Sequence, residues 1–341
     1  MNPKHDSYLD DYEQYETLFD PMRSDRKARR GRKPKTKHTP KKPEQQVIAE
    51  LGESVGLEGG FKTTYQPGLF EEGWLLQSLR DFYTQHYISD VLARVKGGKE
   101  ASVYRCQATP AIGGGLVAAK VYRPNMFRNL RNDALYREGR GVLSAEGHDL
   151  NQSVHTDRMQ RALGKKTAYG RQVAHTSWLM HEFKTLQTLH AAGGAVPKPF
   201  AASENAILMS YHGDENRAAP ILQDVVLDVD EARALFNVVL WNVELMLKHN
   251  LIHGDLSPYN ILYWEGRITI IDFPQVINSQ GNGSARFVLE RDITRMCDYF
   301  AEQGVERDAE AVAYRLWKRY VAKSPRDQKA DESRLLAEDE E

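Results

Sequence analysis

Two short motifs, whose aspartates lie 17 residues apart, constrain the fold and chemistry of this chain more than any other feature. Residues 253–260 read HGDLSPYN and residues 270–273 read IIDF. They place Asp255, Asn260 and Asp272 on tight connections between apolar runs. Phosphoryl transfer uses such a trio, in which one carboxylate meets the attacking hydroxyl while a carboxamide and a second carboxylate hold Mg²⁺. The pattern therefore predicts an ATP-dependent phosphotransferase.

Each member of the trio has a predicted role. Asp255, after an apolar helix, is expected to orient the attacking hydroxyl and accept its proton. Asn260 and Asp272 are the predicted metal ligands, and Asp272 is also counted as catalytic. Any one of them alone could simply cap a turn, but the apolar residues behind all three favour a site. His253 is expected to be a structural hydrogen-bonding residue rather than a base.

A glycine turn in the first half of the chain is a candidate phosphate-binding loop. Gly97, Gly98 and Lys99 lie between two strand-like runs, where the absence of Cβ atoms lets backbone N–H groups approach phosphate oxygens. A plain hairpin turn is the alternative. Lys120 follows in an apolar strand, where an ammonium is costly unless it is paired. We therefore predict that Lys120 is catalytic and contacts the phosphates, against the alternative of an exposed edge-strand lysine.

Four further residues complete the predicted nucleotide site. Glu182, on a predicted helix, is the expected partner of Lys120, and Glu138 is its competitor, although neighbouring glycines weaken a helix there. Ser102 follows the glycine turn. Met209 ends a short predicted strand and Tyr211 follows it.

The charge distribution sets the N-terminal segment apart. Lys and Arg total 46 against 47 Asp and Glu, so the net charge is −1, yet ten of the 17 residues in 26–42 are Lys or Arg. Such a segment buries too little apolar surface to offset its ordering entropy, so residues 1–45 are predicted to be a disordered, acidic-then-basic arm. Arm residues 26–42 could bind RNA through counterion release, and solubility or self-contact is the alternative.

The remaining chain divides into four predicted parts. Residues 46–92 form a helical extension, with one amphipathic helix over 74–92. Residues 93–212 form a lobe of strands with an insertion at 124–170 and a helix at 171–191. Residues 213–323 form a mainly helical lobe, with helices at 230–249, 287–303 and 307–321 and a hairpin at 261–271. A charged tail covers 324–341.

Cysteine content and hydropathy bear on the compartment. The chain has only two cysteines, Cys106 and Cys297, which makes a disulfide framework or a cysteine metal site implausible. No apolar run reaches the ~18–20 residues of a membrane span, and the N-terminus does not read as a secretory signal. We expect a cytoplasmic protein with no membrane partner; the pattern leaves its oligomeric state open.

The glycine turn, the strand of Lys120 and the two aspartate motifs together resemble the RIO family of atypical serine/threonine protein kinases. Within that family, the first-described branch is favoured. The resemblance covers residues 75–305 and rests on the segments 97–104, 119–123, 182–183, 196–199, 251–262, 271–275 and 290–293. It implies an α+β, bilobal protein-kinase-like fold that binds ATP and Mg²⁺, with Mn²⁺ as an alternative metal.

The resemblance also implies an activity and partners. It implies transfer of the γ-phosphoryl group to serine, on a protein substrate or on the chain itself, or transiently to Asp272 in an ATPase cycle. It further implies a role in ribosome maturation, which the basic arm would suit. Gly254 stands where ordinary protein kinases carry an arginine that reads a phosphorylated activation loop, so Asp255 is expected to act without prior phosphorylation.

Two other functions fit parts of the pattern. Small-molecule phosphotransferases of the aminoglycoside or choline kinase kind share His-Gly-Asp, the later Asn and Ile-Asp-Phe, although the segments 97–104 and 119–123 argue against them. An RNA- or ribosome-binding assembly factor that uses ATP as a switch would explain the basic arm.

Overall fold

The computed structural model describes residues 63–98, 100–123, 142–144 and 168–322. The predicted arm at 1–45, most of the insertion at 124–170, the tail at 324–341 and Lys99 lie outside these residues. Within the described ranges, no helix is both long and apolar enough to cross a bilayer.

A five-stranded antiparallel sheet forms the first lobe, in the order β1-β2-β3-β5-β4. The strand β2 alternates half-buried and buried residues along its whole length, because one of its faces is buried and the other is partly accessible. The strands are β1 (Ile88–Gly97), β2 (Ala101–Ala108), β3 (Leu116–Tyr122), β4 (Pro199–Ala202) and β5 (Ala206–Ser210).

One helix covers each face of this sheet. Helix α1 (Leu69–Thr84) packs Leu75, Leu79 and Phe82 on the face that carries Tyr104 and Val121. Helix α2 (Ala168–Ala191) lies against the opposite face, where it joins the core of the second lobe. The two faces of β3 therefore point into different environments.

The helix predicted over 74–92 is wrong beyond residue 84. Helix α1 ends at Thr84, His86 adopts a φ of 57°, and β1 begins at Ile88. The boundary proposed between 92 and 93 thus lies inside a strand. Register shifts in β1 explain the error, because they leave Ile88 and Val91 buried three positions apart, which imitates a helical period.

The second lobe is mainly helical and carries two small hairpin-like sheets, β6–β9 and β7–β8. The predicted helices and the predicted hairpin are confirmed to within a few residues, and β4 was not predicted as a strand. The elements are α3 (Val229–Lys248), β6 (Leu251–Ile252), β7 (Ile261–Trp264), β8 (Arg267–Ile270), β9 (Ile277–Asn278), α4 (Ala285–Glu302) and α5 (Ala309–Tyr320), with 3₁₀ turns at Pro110–Ile112, Leu222–Asp224 and Pro258–Asn260.

The lobes are joined covalently after β5 and contact each other beside that connection. Arg105 of β2 donates hydrogen bonds to the carbonyl oxygens of Asp214, at 3.4 Å, and Glu215. Apolar residues of both lobes form one core cluster that includes Tyr122, Ile207, Phe236 and Phe273. The observed architecture confirms the predicted α+β, bilobal fold.

Candidate active site

A single lysine joins the two lobes at the centre of the site. Lys120 is 8% exposed, and its Nζ lies 2.6 Å from Oε1 of Glu182 and 2.6 Å from Oδ1 of Asp272. The strand places it there because Lys120 pairs with Val103 on one side and Ile207 on the other, on the sheet face towards α2. The alternative of an exposed edge-strand lysine is therefore wrong.

Glu182 is held by more than its lysine. It is 1% exposed on α2, and its Oε2 accepts a hydrogen bond from the hydroxyl of Tyr122. The backbone N–H of Phe273 donates to Oε1 at 3.4 Å. The prediction that Glu182 pairs with Lys120 is confirmed; its competitor Glu138 lies outside the described residues.

The cluster carries two carboxylates against one ammonium. Burial alone would lower the pKa of Lys120, but Asp272 and Glu182 outweigh it and raise that pKa. Burial raises the pKa of Glu182 in spite of Lys120. Burial also opposes ionisation of Asp272, yet the ammonium prevails and lowers its pKa. Asp272, whose pKa the ammonium lowers, is therefore the acid of this cluster that best suits a bound cation.

The loop at 253–260 holds Asp255 in a fixed orientation. Its Oδ1 accepts a hydrogen bond from Arg295 at 2.7 Å, and its Oδ2 accepts one from Nδ2 of Asn260 at 2.9 Å. Asp255 and Arg295 are both buried, with side-chain exposures of 8% and 4%. Charged hydrogen bonds between buried groups fix geometry strongly. Asp255 is thus oriented as an acceptor, as its predicted role requires.

The loop that carries Asp255 is braced from beneath. Gly254 has a φ of 83°, and a Cβ there would lie 2.2 Å from the carbonyl oxygen of Gln275, so only glycine fits. Its N–H donates to Oδ2 of Asp292 at 2.8 Å, and its carbonyl accepts a hydrogen bond from Arg291. The absence of an arginine at position 254 thus has a steric cause.

His253 acts as the predicted structural residue. It is 2% exposed, its Nε2 lies 3.1 Å from the carbonyl oxygen of Ile271, and its Nδ1 accepts from the N–H of Asp255 at 3.3 Å. Burial lowers its pKa, although Asp292, Asp255 and Asp272 act in the opposite direction. A neutral imidazole therefore links the two motifs.

The β7–β8 hairpin brings the two predicted metal ligands into adjacent positions. Ile261 pairs with Ile270, and the N–H of Ile271 donates to the carbonyl oxygen of Asn260 at 2.9 Å. Asp272 follows directly, with a φ of 71° and a side chain that is 42% exposed. The hairpin therefore explains how residues 12 apart in sequence reach one site.

The donor set fits Mg²⁺. Over the described ranges, no group of three or more His, Cys, Asp or Glu side chains could hold a metal. Magnesium needs no such group, because it binds through one or two carboxylates, waters and substrate phosphates. Nδ2 of Asn260 is occupied by Asp255, which turns its amide oxygen towards other ligands. Asn260 and the half-exposed Asp272 are therefore the residues that would hold the ion.

The predicted nucleotide contacts differ in how well they agree with this geometry. Gly97 and Gly98 form the β1–β2 turn, and a Cβ at Gly98 would lie 2.9 Å from the carbonyl oxygen of Ala101. Met209 pairs with Ala118, two residues before Lys120, and so lies on the sheet face of Lys120. Tyr211 follows β5 and its hydroxyl is buried. The nucleotide contacts of these four residues stay predictions.

Ser102 differs from Lys120 in the face of the sheet on which its side chain lies. It pairs with Val121, whose side chain packs in the cluster beneath α1, and it is 1% exposed. Side chains of paired residues share a face, and alternate residues of a strand point to opposite faces. The Ser102 side chain is therefore turned away from Lys120, and a contact with nucleotide at this residue, through its backbone, stays a prediction.

Two side chains of the site were missed by sequence reasoning. Arg295 and Tyr122 contact Asp255 and Glu182 across 40 and 60 residues, so no local spacing reveals either partner. A signal did exist for Arg295. It falls three residues after Asp292 on the buried face of α4, where a cation is costly unless it is paired.

Comparisons with known proteins identify the family of this chain. A family model described as the RIO domain matches residues 148–313, which include Glu182, Asp255, Asn260 and Asp272. The RIO-type serine/threonine-protein kinase Rio1 of Haloferax volcanii is 29% identical over 222 residues, or 64% of this chain and 66% of that protein. The Rio1 protein of Thermoplasma acidophilum is 31% identical over 135 residues, or 40% of this chain and 69% of its own length. This chain belongs to the RIO family.

Similarity to the RIO relatives does not extend over their whole lengths. The chain spans about two thirds of the Haloferax protein and 43% of the RIO1 kinase of Chaetomium thermophilum, to which it is 28% identical over 67% of its own length. Two crystal structures of the Rio2 kinase from Chaetomium thermophilum share 20% identity, and one is an ADP/Mg²⁺-phosphoaspartate complex. They cover 82% and 79% of this chain and 76% of their own, with TM-scores of 0.49 and 0.48. The assignment therefore rests on the sequence relatives.

Proposed function

We propose that this protein is an ATP- and Mg²⁺-dependent serine/threonine protein kinase of the RIO type that also hydrolyses ATP. The observation that carries the proposal is the placement of Lys120 Nζ at 2.6 Å from both Glu182 and Asp272, together with the fixed orientation of the Asp255 carboxylate by Arg295. An ammonium held by a helix glutamate and a metal-binding aspartate is the arrangement that positions ATP phosphates. Membership in a family whose named members are serine/threonine-protein kinases supports it.

Each site residue has its own role in the transfer of the γ-phosphoryl group from ATP. A serine hydroxyl attacks the γ-phosphorus, the new O–P bond forms as the bond to the β-phosphate oxygen breaks, and ADP leaves. Asp255 orients the hydroxyl and receives its proton. Lys120 binds the α- and β-phosphates, and Mg²⁺ held by Asn260 and Asp272 would neutralise phosphate charge. In the ATPase variant, a carboxylate oxygen of Asp272 takes the phosphoryl group and water then releases it as phosphate.

A labelling experiment tests the proposal. Protein incubated with γ-labelled ATP and Mg²⁺ should become labelled or release phosphate, and Asp272→Asn should lose both activities by at least ~100-fold. Asparagine is the substitution of choice because it tolerates the left-handed backbone at this position. Asp298→Asn, at an exposed position of α4, is the control. Undiminished turnover in Asp272→Asn would overturn the assignment.

The chemical stability of the bound phosphate separates the two acceptors. Phosphoserine survives hydroxylamine, whereas an acyl-phosphate on Asp272 is cleaved. Label that resists hydroxylamine, maps to a serine and transfers to a protein substrate identifies a kinase. Label that hydroxylamine removes, with steady phosphate release, identifies an ATPase cycle.

The proposal also extends to partners and location. We infer a cytoplasmic protein, because both cysteines are free and buried and suit a reducing compartment. The basic arm at 26–42 would contact RNA, and a role in ribosome maturation would follow. Salt-dependent RNA binding that is lost on deletion of 23–43 and retained in Asp255→Ala would support this partner. Rapid phosphorylation of choline or an aminoglycoside, without self-labelling, would favour the small-molecule alternative.

A further inference from the structure

Two residues of β3 face α2 together. Lys120 and Tyr122 are two positions apart, so both side chains project from the same side of the strand. The residues His175, Trp178 and Glu182 lie on one face of α2, at spacings of three and four. Lys120 pairs with Glu182, and Tyr122 contacts all three residues of this helix face.

Contacts of the ring and the backbone hold Tyr122 in place independently of its hydroxyl. It is 1% exposed, lies edge-on to Trp178 with centroids 4.8 Å apart, and lies 6.1 Å from His175. Its backbone N–H donates to the carbonyl oxygen of Asn205 at 2.8 Å, and the side chain of Asn205 lies 2.9 Å from Nε2 of His175. Strand, turn and helix therefore hold this ring in one place.

The hydroxyl of Tyr122 completes the coordination of Glu182. The oxygen Oε1 accepts from Lys120 and from the N–H of Phe273, while Oε2 accepts from Tyr122. A carboxylate this deeply buried requires donors on its oxygens to remain ionised and in place. Without the hydroxyl, Oε2 loses a donor that no solvent can replace at 1% exposure. Lys120 would then turn towards its other partner, Asp272.

We propose that Tyr122 is a positioning residue for phosphoryl transfer: its hydroxyl fixes Glu182, and Glu182 in turn fixes the Lys120 ammonium against the phosphates. This inference rests on the proposed function and deepens it. The device is built into β3, so the Lys120–Glu182 pair forms without any phosphorylated loop. It complements Gly254, where the arginine that reads such a loop is sterically excluded.

The chain offers a matched control for the test. Tyr104 is fully buried on the other face of the same sheet, and its hydroxyl also donates to a carboxylate, Oε1 of Glu71. Tyr122→Phe and Tyr104→Phe each delete one hydroxyl and keep the ring. We expect kcat/KM for ATP to fall roughly tenfold to a hundredfold in Tyr122→Phe, the effect of one hydrogen bond to a charged group. Tyr104→Phe should stay within about twofold of wild type.

A double-mutant cycle with Glu182→Gln separates positioning from general loosening. If Tyr122 acts through Glu182, Tyr122→Phe should cost less than about twofold in the Glu182→Gln background. The same four proteins are compared by their Kd for a non-hydrolysable ATP analogue with Mg²⁺, which needs no turnover. Thermal unfolding of each variant verifies that it is folded.

Each result decides the matter. Strong coupling between Tyr122 and Glu182, with a silent Tyr104→Phe, supports the proposal. Additive effects, or equal losses in the two Tyr→Phe variants, overturn it. If the wild-type protein binds the analogue but neither hydrolyses ATP nor transfers phosphate, the proposed activity is refuted, while the cycle in Kd still tests the coupling between Tyr122 and Glu182. If wild type binds no nucleotide, both proposals fall.

Discussion

The buried ion pair between Arg295 and Asp255 predicts a large loss of stability when only one partner is removed. Arg295→Leu would leave the Asp255 carboxylate buried without the guanidinium at 2.7 Å. Breaking such a pair costs about 3–5 kcal/mol. Leucine keeps the helix propensity and most of the apolar volume, so the lost charge pairing dominates the effect. We expect Arg295→Leu to be among the most destabilising single changes in the second lobe.

The same helix supplies the comparison. Arg286 pairs with Glu290 at 2.8 Å, but the two side chains are 58% and 42% exposed. Exposed pairs at this spacing contribute about 0.3–0.5 kcal/mol, so Arg286→Leu should be nearly neutral. In urea, with an m-value of about 3 kcal/mol/M, the Arg295 variant should lower the unfolding midpoint by about 1–1.7 M and the Arg286 variant by less than about 0.2 M.

Two outcomes would refute this reasoning. Equal midpoint shifts for the two variants would show that burial of the pair does not matter. A second test replaces both partners, with Arg295→Leu and Asp255→Leu together, and should recover part of the lost stability because no charge remains unpaired. If the double variant were less stable than Arg295→Leu by the full cost of a second core defect, the electrostatic explanation would fail.

Further predictions concern the loop at 253–254. Gly254→Ala should lower kcat more than tenfold, because it adds a clash at 2.2 Å to the left-handed backbone; Gly266→Ala, with a φ of 74° and open space around it, isolates the backbone effect, and equal losses would contradict the clash. Burial lowers the pKa of His253 below its ordinary value of 6.5. In mildly acidic solution, His253 therefore binds a proton more readily in the unfolded chain than in the folded chain. The free energy of unfolding should therefore fall as pH drops below about 6.5, and His253→Gln should flatten this slope in urea titrations between about pH 5 and 8; an unchanged slope would contradict it.

Local patterns were sufficient to place the predicted catalytic and metal-binding residues on tight connections. Asp255, Asn260 and Asp272 each follow an apolar run and begin a tight connection, so their spacing alone placed them on neighbouring turns. The helices of the second lobe were also predictable, because α3 keeps one buried stripe over its whole length. In both cases the periodicity belongs to one continuous segment of chain.

Other features depend on which segments pair, and sequence spacing does not contain that information. The face of Ser102 follows from its register with Val121, which the β2–β3 connection sets. The start of β1 was misread because its bulges bury Ile88 and Val91 at a helix-like interval. The partners of Arg295 and Tyr122 were hidden for the same reason, since each contact joins elements that only the folded lobes bring together.

The ion pair between Lys120 and Asp272 has a mechanical consequence. Lys120 belongs to the sheet lobe and Asp272 to the helical lobe, so this ion pair connects the two lobes. The Asp272 carboxylate of this ion pair is also the group that would bind the metal or receive the phosphoryl group. Each round of the proposed reaction cycle would therefore weaken and restore the ion pair between Lys120 and Asp272. The chemical state of one side chain would be transmitted as a change in how firmly the two halves of the molecule are held together.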